Sequence, residues 1–220
     1  MKGSERVQVK ICGITTPEDA LMCAGFGADA VGLVFYPKSP RFVTDGQARA
    51  VTDALPPSVA AVGVFVNETA QSVLAHARTS GIEWAQLHGQ EPPETVDELR
   101  ASGIRVIKVL FINRAPNFID AALYRPDAFL MECAEGALPG GNAKTWDWTE
   151  ALGVTGEVPM ILAGGLSAEN AAFAATGAKA DALDASSALE SAYGKKDEKR
   201  VRAFMDAIRA LPPRNTRRIF

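Results

Sequence analysis

Residues 59–66 read Val59-Ala-Ala-Val-Gly-Val-Phe-Val66, a run without one polar side chain. A strand exposed on one face alternates apolar and polar residues. A uniformly apolar run needs cover on both faces, as in a parallel sheet flanked by helices. Outward from this stretch the same kind of segment recurs at Val7–Cys12, Ala30–Phe35, Ala60–Val66, Trp84–Leu87, Val106–Leu110, Ala128–Glu132, Met160–Ala163 and Ala182–Ala185. Helix-like stretches lie between them, near 17–26, 45–54, 70–80, 93–102, 116–123, 146–152, 168–176 and 197–210. Thr16-Pro-Glu-Asp places a cap residue before proline and acids, and Thr44 and Gln47 stand at capping-box spacing. Gly27, Gly81 and Gly103 follow helical stretches, where a left-handed residue ends a helix cheaply. A doubly wound sheet gives the same alternation. Eight βα units with no spare domain favour a (β/α)₈ TIM barrel of the α/β class. The expected organisation is one barrel domain over 1–213 and a basic, solvated tail over 214–220, after Pro212-Pro213.

Composition narrows the function. The chain has 220 residues, 47% hydrophobic and 22% charged, and 23 Lys+Arg against 26 Asp+Glu give a net charge of −3. Nothing here forms a basic footprint for nucleic acid. No apolar run reaches the ~18 residues that span a bilayer. The start lacks a secretory pattern, so the expected setting is cytoplasmic. Cys12, Cys23 and Cys133, with His76 and His88, make neither a disulfide framework nor a metal site. No heptad or apolar stripe argues for a dimer, which leaves a monomer as the default.

In a barrel, chemistry collects where strands end. Strand one ends Lys10-Ile-Cys-Gly13, and Lys10 and Cys12 share one face. Cys12 reads as a nucleophile, a base or a small core filler. Strand two leads into Tyr36-Pro-Lys-Ser-Pro-Arg-Phe42, where Arg41 is either a solvated loop residue or a fork of donors for an anion. His88 ends Gln86-Leu-His-Gly89 as a base or a structural histidine. Glu132 ends an apolar run, which suits a general acid or merely a strand meeting water. Gly140-Gly-Asn-Ala-Lys144 fails as a phosphate P-loop by spacing. Gly164-Gly165 precedes Ser167, read as a helix cap, and Ser186-Ser187 follows the last strand, where a second short helix can begin. Paired loops after strands seven and eight are a recurring barrel phosphate site, so a phosphorylated small molecule is the expected ligand.

Taken in order, Lys10-Ile-Cys-Gly-Ile-Thr15, Phe35-Tyr-Pro-Lys-Ser-Pro-Arg41, Gly63-Val-Phe-Val-Asn67, Gln86-Leu-His-Gly89, Lys144-Thr-Trp-Asp-Trp148, Leu162-Ala-Gly-Gly-Leu166 and Asp184-Ala-Ser-Ser187 resemble the phosphoribosylanthranilate isomerase family of tryptophan biosynthesis. The resemblance implies a cofactor-free Amadori rearrangement. N-(5-phosphoribosyl)anthranilate becomes 1-(2-carboxyphenylamino)-1-deoxyribulose 5-phosphate. It also implies Cys12 as general base, Glu132 as general acid and Arg41 as partner of the anthranilate carboxylate. The phosphate would lie on amides around Gly164, Gly165, Ser186 and Ser187. Lys10 is expected to lower the pKa of Cys12, and His88 is a further candidate.

Three positions depart from the family pattern. Glu132 stands where members carry aspartate, and Ala143 and Ala188 stand where members carry glycine. Losing glycine from a strained or close-approach position costs ~1 kcal/mol. The competing readings are a non-catalytic or specialised phosphosugar-binding paralogue and another phosphosugar barrel enzyme. The Lys-Ile-Cys-Gly start and the Ser-Pro-Arg loop speak against the latter.

Overall fold

The computed structural model of the protein describes residues 6–133 and 145–220. Eight parallel strands close into a ring in chain order: β1 (Gln8–Cys12), β2 (Ala30–Val34), β3 (Ala60–Phe65), β4 (Trp84–Leu87), β5 (Arg105–Phe111), β6 (Ala128–Glu132), β7 (Met160–Leu162) and β8 (Ala182–Ala185). Closure is made by β1, which pairs Lys10 with Ala30 of β2 on one side and with Asp184 of β8 on the other. Period-two alternation then sends Ala30, Val62, Trp84, Ile107, Ala128, Ile161 and Ala182 into one inner cluster. Val31, Leu33, Leu110 and Leu183 point outward into the layer under the helices.

That outer layer contains α1 (Pro17–Gly25), α2 (Asp45–Ala54), α3 (Ala70–Ser80), α4 (Pro93–Ala101), α5 (Ala171–Ala178) and α6 (Glu198–Arg209). The start signals read from the sequence are present. Thr16 caps α1 through the Asp19 amide, and Thr44 and Gln47 form a reciprocal capping box at α2. In α6, Val201, Phe204, Met205 and Ile208 are buried at i, i+3, i+4 and i+7, so one stripe meets the barrel.

Four local expectations differ from the structure. The stretches at 116–123 and 146–152 are 3₁₀ turns, Phe118–Leu123 and Trp148–Ala151. Pro126 and Gly153 follow too closely for an α-helix to extend. Ser167 does not cap α5: Asn170 is the cap position, and its Oδ1 accepts from the Ser167 amide. Past Ser187–Leu189, a 3₁₀ turn, the chain makes an unforeseen hairpin, β9 (Glu190–Ala192) and β10 (Lys195–Lys196), turning at Tyr193-Gly194.

The last segment is not a solvated tail. Ile219 is buried in the inner cluster with Phe220 packed against it. Phe220 meets Trp84 edge-on at 5.3 Å between ring centroids, and Gln8 Oε1 accepts from the Ile219 amide at 2.7 Å. Arg217 pairs with Asp181 at 2.7 Å. The basic residues find acids and backbone carbonyls, and the two apolar residues stopper the amino-terminal end of the barrel. Gly140–Lys144 and Ala143 lie outside the described residues.

Candidate active site

Opposite that stopper, the carboxyl-terminal ends of β1, β4, β6 and β8 bring together Lys10, Cys12, Gln86, His88, Glu132 and Asp184. Gln86, His88 and Glu132 are almost fully buried, as is Lys10, whose Nζ donates to Asp184 Oδ2 at 2.9 Å. A Cβ on Gly32 of β2 would lie 2.6 Å from Cys12 Sγ and 3.1 Å from Lys10 Nζ. Thiol and ammonium therefore converge over bare backbone, and glycine is required there for space. The next residue, Gly13, has φ +79, and a Cβ on it would sit 2.4 Å from Arg41 Cδ. This turn thus needs glycine for conformation and for room.

The expectation that Lys10 lowers the Cys12 pKa is half met. Burial is the dominant influence and pushes the thiol above its ordinary value; Lys10 pulls it back, Asp184 pushes it up again and Lys196 opposes. The net direction is upward, because the cost of burying a thiolate exceeds the pull of Lys10 and Lys196. Lys10 itself loses charge stability through burial, but Asp184 and Cys12 outweigh that and raise its pKa. Burial likewise raises Asp184, with Lys10 opposing and Glu132 adding to the rise.

Across the mouth, Glu132 Oε2 lies 3.1 Å from His88 Nε2, within ion-pair reach though not aligned as a hydrogen bond. Gln86 Nε2 is 2.9 Å from His88 Nδ1; the amide donating there leaves the ring proton on Nε2, facing Glu132. β6 is separated from β1 by β7 and β8 on the shorter way around the ring. The carboxyl and the thiol therefore project from different sides of the mouth.

Gly164 and Gly165 both have positive φ, +92 and +65. Trp146 Nε1 donates to the Ala163 carbonyl at 3.0 Å and Trp148 Nε1 to the Gly164 carbonyl at 3.2 Å. With those carbonyls tied to indoles, the glycine amides donate to no acceptor among the described residues. Ser186 Oγ donates to the Cys12 carbonyl at 2.9 Å, which ties the β8 loop to the end of β1. Ser187 opens the 3₁₀ turn beside it. Among the described residues no group of three or more His, Cys, Asp or Glu could hold a metal ion, and no helix is long and apolar enough to cross a membrane.

Arg41 is not a solvated loop residue. Its Nε and Nη2 donate to the two oxygens of Glu190, at 2.8 and 2.7 Å, and its side chain is 5% exposed. Lys196 Nζ donates to the same carboxylate at 2.8 Å and to the Cys12 carbonyl at 2.7 Å. Sequence reasoning missed Glu190, Lys196 and the role of Asp184. Asp184 was findable: it shares the inward parity of Ala182 on its strand. Glu190 and Lys196 lie on a hairpin too polar to announce itself.

Acid and base groups gathered at one end of a closed parallel barrel define an enzyme of the (β/α)₈ class. Comparison with known proteins makes this particular. The family model for N-(5'phosphoribosyl)anthranilate (PRA) isomerase matches residues 9–207, and the chain belongs to that family. It is 50% identical over 199 residues to N-(5'-phosphoribosyl)anthranilate isomerase of Desulfatibacillum aliphaticivorans, covering 90% of this chain and 91% of the relative. The counterpart from Rubrobacter xylanophilus is 43% identical, over 92% and 99% of the two chains. The crystal structure of phosphoribosyl anthranilate isomerase from Thermotoga maritima superposes with a TM-score of 0.85 at 38% identity, covering 93% of this chain and all of that one. A phosphoribosyl anthranilate isomerase solved in complex with reduced 1-(o-carboxyphenylamino)-1-deoxyribulose 5-phosphate superposes at 0.82, also at 38% identity, with coverage of 93% and 100%.

Proposed function

We propose that the protein isomerises N-(5'-phosphoribosyl)anthranilate to 1-(2-carboxyphenylamino)-1-deoxyribulose 5-phosphate, with Cys12 as general base and Glu132 as general acid. The observation that carries this reading is the placement of a thiol and a carboxyl at the same barrel mouth, on strands separated by β7 and β8. Glu132 protonates the furanose oxygen, opening the ring to an imine conjugated with the aromatic amine. Cys12 then takes the proton from sugar C2, and the resulting enolamine becomes the ketone. Atoms are conserved and no external redox partner enters. The glycine amides after β7 and the Ser186-Ser187 turn hold the phosphate, which fixes the sugar between the two groups. A thiol whose pKa is raised populates less thiolate but makes a stronger base once ionised. The ascending limb of the pH profile that reports Cys12 should therefore be displaced above the ordinary cysteine range.

In this reading the glutamate side chain that stands in place of aspartate reaches to 3.1 Å from His88 Nε2. The decisive experiment is steady-state turnover of two folded variants. Cys12→Ser should lose about a thousandfold or more in kcat, and Glu132→Gln should almost abolish turnover, general acid–base groups contributing roughly 10²–10⁴-fold each. Near-normal turnover by either variant removes that residue from the mechanism. Rescue of tryptophan-free growth in a strain lacking the isomerase separates this reading from a non-catalytic binding paralogue.

A further inference from the structure

Among the described residues, buried lysines are matched one to one with carboxylates except beside Cys12. Lys10 pairs with Asp184 at 2.9 Å and Lys108 with Glu91 at 2.8 Å, all four side chains being nearly or wholly inaccessible. There, two buried cations share one carboxylate. Arg41 and Lys196 both donate to Glu190, whose side chain is 4% exposed. The neighbours do not change this balance. Asp19 Oδ2 accepts from the Lys196 amide at 2.9 Å, and the Arg200 guanidinium donates to the Glu190 carbonyl, one charge of each sign on backbone groups. Burial disfavours charge on Glu190, but hydrogen bonds from Arg41 and the charge of Lys196 outweigh it and hold its pKa below the usual range, so the carboxylate is ionised at neutral pH.

We infer that the Arg41–Glu190–Lys196 triad carries one unbalanced positive charge, presented through the Nη1 side of Arg41 to the aryl carboxylate of the substrate, with Glu190 and Lys196 as positioning residues. This rests on the reading of Arg41 as partner of that carboxylate and deepens it. Glu190 occupies the Nε–Nη2 edge of the guanidinium, the edge that otherwise forms a two-bond fork with a carboxylate. What remains is Nη1, which donates to no acceptor among the described residues, together with the second proton of Nη2. Tyr193, at the tip of the β9–β10 turn, lies over the guanidinium at 5.3 Å and limits its swing. Thr15 Oγ1 donates to the Gly194 carbonyl at 2.6 Å, so the hairpin is pinned to the loop after β1. A site of this kind favours an anionic ring substituent over a neutral one of equal size, because the surplus charge is costly to bury until an anion arrives.

Charge arithmetic provides a test that a purely structural role does not pass. Formal charge on the triad is +1 in the native protein, 0 in Lys196→Met, +2 in Glu190→Gln and +1 again in the double variant. We expect Lys196→Met to raise KM for N-(5'-phosphoribosyl)anthranilate about tenfold, with any change in kcat arising separately from the lost bond to the Cys12 carbonyl. Adding Glu190→Gln to Lys196→Met should return KM to within about threefold of native. A double variant with KM as high as Lys196→Met, or higher, overturns the charge assignment. Arg41→Ala separates the two levels. An unchanged KM there sinks the reading of Arg41 itself, whereas a raised KM with a silent Lys196→Met sinks only the triad. If Lys196→Met does not fold, the native enzyme still decides: anthranilate should inhibit competitively at about tenfold lower concentration than 2-aminobenzamide, its neutral counterpart. Equal inhibition by the two overturns the proposal.

Discussion

The two halves of the barrel interior are filled by opposite chemistry. Below, Trp84, Ile107, Ala128, Ile161 and Ala182 close around Ile219 and Phe220. Each large apolar side chain buried there contributes about 1.5–3 kcal/mol. Above, Lys10, Cys12, Gln86, His88, Glu132 and Asp184 fill the same cross-section with polar and ionisable groups. An ionised side chain without a partner costs several kcal/mol in such a setting, and so Lys10 faces Asp184; Glu132 lies 3.1 Å from His88 across the mouth. The difference teaches that one end of the ring holds the fold together while the other spends stability on chemistry. Changes in the lower half should move melting temperature and leave turnover alone, and changes in the upper half should do the reverse.

Trp84→Ala should give the largest effect, a loss of about 3–5 kcal/mol of stability, with kcat of the folded enzyme close to native. A collapse in kcat without loss of stability would break the division of labour. Gly32→Ala tests the upper half. Its methyl would lie 2.6 Å from Cys12 Sγ and 3.0 Å from Cys12 Cα, and backbone cannot yield as a side chain can. Turnover should fall about a hundredfold, the cost of an ångström-scale misplacement, with a much smaller change in melting temperature. Ile219→Val sharpens the comparison at its far end. A packed stopper should lose about 1 kcal/mol, roughly 2–4 °C in melting temperature for a domain of this size, whereas a solvated tail would lose nothing. Acid titration gives the smallest signal. Glu190, held below its ordinary pKa, contributes stability that is complete above the unfolded glutamate range and is lost as pH falls through its folded value. Native protein should therefore show a steeper loss of stability below that range than Glu190→Gln, followed by urea unfolding at each pH.

Strand positions were legible because each is an apolar run between turn signals, and Trp84–Leu87, Ala128–Glu132 and Ala182–Ala185 stand where the pattern puts them. Helix starts carried by Thr16 and Thr44 were equally plain, because a cap is a local interaction. The gathering of Cys12, His88 and Glu132 at one mouth followed from strand-end position. What stayed hidden depends on distant partners. Glu190-Ser-Ala-Tyr-Gly-Lys-Lys196 lacks apolar alternation, so nothing local distinguishes its hairpin from a solvated loop. Arg214, Arg217 and Arg218 masked the Ile219-Phe220 pair that follows them. Arg217 reaches Asp181 and Arg214 reaches the Ala175 and Ala180 carbonyls, groups 34 or more residues away in sequence. Lys108 and Glu91, 17 residues apart, became a buried pair only once β5 was laid beside β4.

The seam between β1 and β8 has a consequence for how the enzyme comes into being. Cys12 and Lys10 emerge early in synthesis, yet the groups that set their electrostatics are supplied by the other end of the barrel. Asp184 and Lys196 belong to this set, Ser186 bonds the Cys12 carbonyl, and Asp184 lies 174 residues beyond Lys10. At ordinary rates of translation that interval lasts on the order of ten seconds or more. Until β8 docks, the nascent thiol has neither its ion-pair neighbours nor its anchoring hydroxyl. A half-made barrel therefore carries Cys12 as an ordinary side chain, and activity serves as a report that the last strand has closed the ring.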